Sequence, residues 1–106
     1  MSNSYIFEKL MLTVNILATG KGRINDRLKS AVMSQFERLS PGHNDIPNKY
    51  TVKHNQIMKQ LTCVKPIGDE GSLTATIDSL SEDESQEIAE KIVSLFHEFI
   101  SDNIYK

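Results

Sequence analysis

The sequence predicts an all-α fold, a small helical bundle of four main helices plus one short connecting helix. Three observations carry that expectation. Apolar residues recur three and four positions apart along most of the 106 residues. No stretch alternates at the period of two that a half-buried strand needs. Glycine and proline fall between the periodic segments, at residues 20–22, at Ser40-Pro41-Gly42 and in the stretch KPIGDEG at 65–71.

The first predicted helix runs over 4–19. Phe7, Leu10, Val14 and Leu17 make a stripe, and Tyr5, Ile6, Met11, Leu12, Ile16 and Ala18 widen it until only Glu8, Lys9, Thr13 and Asn15 form a polar strip. A helix this apolar belongs at the centre of a bundle or in a subunit contact. Gly20 stands where a left-handed C-terminal cap is wanted. The second helix is expected over 23–39, with Ile24, Leu28, Ala31, Val32, Phe36 and Leu39 on one face, and Pro41 ends it. The third should start near Pro47, capped by Asn44 or Asp45. It places Tyr50, His54, Ile57, Met58 and Leu61 on one face and stops before Pro66. Ser72 is the expected cap of a short helix carrying Leu73, Ile77 and Leu80. Ser81 and Glu84 have the spacing of a capping box that opens a last helix, roughly 24 residues and ~36 Å long against ~24 Å for the first. Its apolar positions continue through Phe99, Ile100 and Ile104, so these three are the candidate oligomer contacts, and a homodimer is the expected assembly.

Length and composition fit one domain over 1–106. The single cysteine, Cys63, has no partner for an internal disulfide, which favours a cytoplasmic location, and a buried, inert thiol is its expected state. The N-terminal apolar run begins without a positive side chain and is interrupted by Glu8 and Lys9, so neither a targeting segment nor a membrane contact is expected. Net charge is −2, but it is unevenly spread. Residues 1–65 hold ten Lys/Arg and four Asp/Glu, and residues 66–106 hold two and ten. Each half needs a counter-charge or water.

The segment ATGKGRINDR at 18–27 concentrates the question of function. A Walker-type loop needs a strand before it and GxxxxGK followed by Ser or Thr; here a helix precedes and the spacing differs. The dinucleotide GxGxxG pattern fails at Asn25. The corner also has the form of a helix-turn-helix, with Arg23, Asn25 and Arg27 opening the second helix, and an antiparallel helical hairpin explains the turn equally well. Lys21, Arg23, Arg27 and Lys29 are therefore the candidate anion or nucleic-acid site. Positive side chains at a helix N-terminus are disfavoured by ~0.3–1 kcal/mol each, so an anion is expected there: an external ligand, or Asp69, Glu70, Glu82, Asp83 or Glu84 folded back from the acidic half. His43, His54 and His97 are scattered and share no metal spacing with Cys63, and the acidic run lacks a calcium-loop pattern. Neither catalytic residues nor a metal nor a cofactor is nominated. The expected role is that of a small helical interaction or regulatory protein with a protein partner. The alternative is a nucleic-acid-binding regulator using residues 21–29.

Overall fold

The computed structural model describes residues 3–39 and 48–103. They form five α-helices, and no strand is present among them: α1 (Asn3–Thr19), α2 (Ile24–Ser34), α3 (Asn48–Leu61), α4 (Gly71–Ser79) and α5 (Glu82–Asn103), with a single 3-10 turn at Phe36–Leu39 after α2. The predicted fold class stands. α1, α2 and α5 pack on one another in all three pairings, α3 lies on α5 and α4, and α4 also touches α2. The expected stop at Pro41, the caps at Asn44 and Asp45, Pro47, His43 and Ile104 fall outside the described residues.

The core follows from helical spacing. Tyr50, His54, Ile57 and Leu61 are all buried, and Met58 packs beside them, so the predicted face of α3 is the inward one. α5 buries Ser85, Ile88, Ile92, Leu95 and Phe99 toward the centre. Each large aliphatic or aromatic side chain buried this way contributes ~1.5–3 kcal/mol. The start of α5 is also as expected. The Ser81 N–H donates to Glu84 Oε1 at 2.8 Å, and the Glu84 N–H donates to Ser81 Oγ at 3.1 Å, a complete capping box.

Five details differ from the sequence reading. Thr13, expected in the polar strip of α1, is fully buried. Its hydroxyl donates to the Lys9 carbonyl at 2.7 Å, which satisfies the polar atom and leaves the methyl to pack. The buried stripe is thus Ile6, Leu10, Thr13 and Leu17, while Phe7 and Val14 lie half-buried to one side. The left-handed residue of the first turn is Gly22, at φ 93°, and not Gly20. Gly20 extends the α1 ladder by donating its N–H to Ile16 O at 2.8 Å. α2 ends at Ser34 instead of running to Leu39. The tighter 3-10 winding after it eclipses residues three apart, and so turns Phe36 and Leu39 both inward. Ser72 lies inside α4 rather than capping it, since the helix begins at Gly71 with φ 82°. Cys63 is exposed, two residues past the end of α3.

His54 is the buried polar group with a titration consequence. Its Nε2 lies 2.8 Å from the Phe36 carbonyl, so this nitrogen carries the proton, and the ring stacks on Phe36 at 4.5 Å between centroids. Its Nδ1 is buried without a hydrogen-bond partner. Burial pushes the imidazole below its ordinary pKa, against the raising effect of the Phe36 bond.

Two outcomes are expected. Replacing Ser81 with alanine removes one arm of the α5 capping box and should lower stability by ~1 kcal/mol, seen as a Tm drop of roughly 4 °C. For His54, the unfolded chain takes up a proton near pH 6.5 while the folded chain resists it. The stability contributed by the neutral buried ring is fully present above about pH 6.5 and is lost as pH falls below it. The urea midpoint should therefore decline between pH 7 and 5.5 in the native chain and decline less in His54→Gln.

Candidate functional site

The corner between α1 and α2 is built by two helix ends of opposite polarity. α2 starts at Ile24 with Arg23 as its extended N-cap residue. The carboxylate of Asp26 turns back over that end and accepts the Arg23 N–H at 3.1 Å. A negative group thus already occupies the positive end of the α2 dipole. Gly22 is required here twice over: its φ is positive, and a Cβ would come within 2.7 Å of Asp26 Oδ2.

The four candidate cations divide among different tasks. Arg27 points back to α1, where Nε donates to Leu17 O at 2.9 Å and an Nη donates to Gly22 O at 2.5 Å. It thereby meets the negative, carbonyl end of α1, where a cation is favourable. Arg23 lies 3.5 Å from Glu82, with both side chains largely exposed. Lys29 donates to Asp78 at 3.0 Å. Lys21 is exposed and makes no ion pair among the described residues. Of the five acids expected to fold back, Glu82 does so. Asp78, which the sequence reading passed over, is the second partner, while Glu84 caps α5 and Glu70 accepts the Ile67 and Gly68 N–H groups of its own loop. The two surface ion pairs contribute only ~0–1 kcal/mol each, so they fix position more than they stabilise. Asn25, considered at sequence level as a base reader, is buried. Its amide donates to the Ile77 and Leu80 carbonyls at 3.2 and 2.9 Å, tying the start of α2 to the end of α4.

Two basic residues of α3, Lys49 and Lys53, meet the acidic flank of α5. Lys49 contacts Asp102 at 2.6 Å and Glu98 at 3.3 Å, and Lys53 pairs with Glu98. The Tyr50 hydroxyl donates to Asp102 at 2.7 Å. Hydrogen bonds to Asp102 and Glu98 raise the Lys49 pKa, the Lys53 bond lowers that of Glu98, and burial raises that of Tyr50. An open groove of about 930 Å³ runs between these helices, floored by Ile57 and Leu95 and crossed by the Lys91–Gln60 bond at 2.9 Å.

The candidate oligomer residues separate. Phe99 is fully buried against Tyr50, ring centroids 5.3 Å apart, so its side chain belongs to the core of this chain. Ile100 is half-buried. It lies on a second apolar strip that the sequence reading did not isolate. On α1 the strip consists of Phe7, Met11, Val14 and Ala18; on α5 it continues with Val93, Phe96 and Ile100. Phe7 and Phe96 stack at 5.9 Å, and Met11 is 40% exposed. None of the seven is charged. The signal was present as spacing: both sets follow the i, i+4, i+7, i+11 rhythm, or the i, i+3, i+7 part of it, one position out of phase with a buried stripe.

Among the described residues, no group of three or more His, Cys, Asp or Glu is placed to hold a metal ion, and no helix is long and apolar enough to cross a membrane. No protein-family model, curated protein or solved structure matches the chain. The class is set by the fold itself, an all-α bundle assembled on α5.

Arg27 separates the structural role of the corner from a ligand role. Truncating it to alanine leaves the Leu17 and Gly22 carbonyls without their charged donor and should lower stability by ~1–2 kcal/mol. Truncating Lys21 should change it by less than ~0.5 kcal/mol. Urea denaturation of the two variants checks the contrast.

Proposed function

We propose that this chain is a non-enzymatic protein-interaction module whose contact face is the α1–α5 seam. The uncharged strip along that seam is the single observation that carries the reading. Apolar side chains left half in water at regular spacing on two adjacent helices mark a surface that another protein can cover. The charged parts of the surface support it from the other side. Arg23, Lys29, Lys49 and Lys53 each have a carboxylate partner within the chain, and Arg27 is bound to backbone carbonyls. A nucleic acid at 21–29 would have to compete for three of its four cations. The exposed thiol of Cys63 suits a reducing cytoplasm.

The test compares proteins captured from a native extract by the unaltered chain and by Met11→Glu, a change at an exposed position. Binding lost in the variant with an unchanged Tm is the expected result, and an identical set of captured proteins overturns the proposal. Capture that is sensitive to nuclease, abolished by Arg23→Glu with Lys21→Glu, and untouched by Met11→Glu would transfer the contact to the basic corner.

A further inference from the structure

We infer that the partner covering the α1–α5 seam is a second copy of this chain, packed about a two-fold axis with α1 against α1 and α5 against α5 in antiparallel register; this rests on the reading of the seam as a contact face. In an antiparallel helix pair both chains rise 1.5 Å per residue in opposite senses, so residues equally distant from the crossing point face each other. Taking the Val14–Asn15 peptide as that point, Met11 of one copy meets Ala18 of the other, a long side chain over a small one. Glu8 meets Lys21, which lies just past the end of α1. All four are exposed, and neither Glu8 nor Lys21 has an ion-pair partner among the described residues of its own chain.

Val14 and Val93 line one shallow groove between the two helices. Rotation about the α1 crossing point thus gives a large-to-small fit and an opposite-charge contact on each side. This is the self-complementarity that an isologous interface requires. A crossing point displaced by one turn would break these pairings together.

The footprint is about 26 Å long, from the 17 residues of α1, and two helices wide. It is small beside the ~800 Å² per partner of a standard interface, so the dimer is tested near 0.2 mM. Light scattering at that concentration should give twice the mass of the 12.0 kDa chain, and Met11→Glu should return it to the single-chain mass with its helical circular dichroism unchanged. Register is read by oxidising Met11→Cys/Ala18→Cys in a Cys63→Ser background. Positions seven apart on one helix are ~10 Å apart and cannot bridge within a chain, so the double variant should form a covalent dimer, and each single variant should stay largely uncrosslinked. A native chain that remains single at this concentration, a Met11→Glu chain that still dimerises, or a double variant that does not crosslink would each overturn the inference. The reading of the seam as a contact face survives a monomeric result if Met11→Glu still loses a captured protein, and fails separately if it does not.

Discussion

Burial of the inner stripe of α5 is the constraint on which the other helices depend. α5 packs against α1, α2 and α3, and Ser85, Ile88, Ile92, Leu95 and Phe99 face them at the helical period. Around that stripe the two flanks of α5 differ. The flank beside α3 carries Glu98 and Asp102, which meet Lys49 and Lys53. The flank beside α1 carries Val93, Phe96 and Ile100. Part of the uneven charge of the sequence is therefore met inside one chain, where Arg23, Lys29, Lys49 and Lys53 pair with acids of α4 and α5. The outer strip of the α1–α5 seam, Phe7, Met11, Val14, Ala18, Val93, Phe96 and Ile100, carries no charge of its own.

The α1–α2 corner shows the same economy on a smaller scale. A short turn brings a helix C-terminus and a helix N-terminus together, so partial charges of both signs lie within one turn of chain. Asp26 faces the positive end and Arg27 the negative end, from adjacent positions in sequence. Gly22 makes the geometry accessible, since its positive φ and missing Cβ leave room for the Asp26 carboxylate. The basic character that draws attention in the sequence is thus partly the means of closing this corner.

What was legible in the sequence is what depends on near neighbours. Helical spacing located five helices, the face of α3 and the inward positions of α2. Ser81 and Glu84, three residues apart, identified the start of α5 because the capping box is a local structure. The misread details depend on distant partners or on fine backbone geometry. Thr13 reads as polar until its hydroxyl is bonded to Lys9 O. Gly20 reads as the left-handed cap until the backbone shows its N–H continuing the α1 ladder and the positive φ at Gly22. In the candidate site, Glu82 lies beside Arg23 and was among the expected partners of the cations. Asp78 and Leu17 were not, because Lys29 and Asp78 are 49 positions apart and a backbone carbonyl leaves no mark in sequence. Cys63 was expected to be buried on residue type alone, which does not see that α3 ends at Leu61.

The buried polar groups extend this reasoning to assembly. Apolar stripes on helices tolerate sliding, whereas one buried hydrogen bond between elements selects a register, at a desolvation penalty if it is broken. Three bonds between segments, buried or part-buried, act this way here: Asn25 to the end of α4, His54 to Phe36 in the 3-10 turn, and the Val64 N–H to Thr76 Oγ1 at 2.9 Å. Together they hold α2, α3 and α4 in place. The polar links of α1 run to α2 and its C-cap residue, from Arg27 to the Leu17 carbonyl at 2.9 Å and from Lys9 to Gln35 at 3.2 Å, while its contact with α5 is made by side chains such as Phe7 and Phe96. The α1–α5 pair is accordingly set by shape and apolar area, and both are increased when the outer strip is covered. A partner on that seam would stabilise the same helix pair that forms its binding surface, coupling association to the stability of the fold.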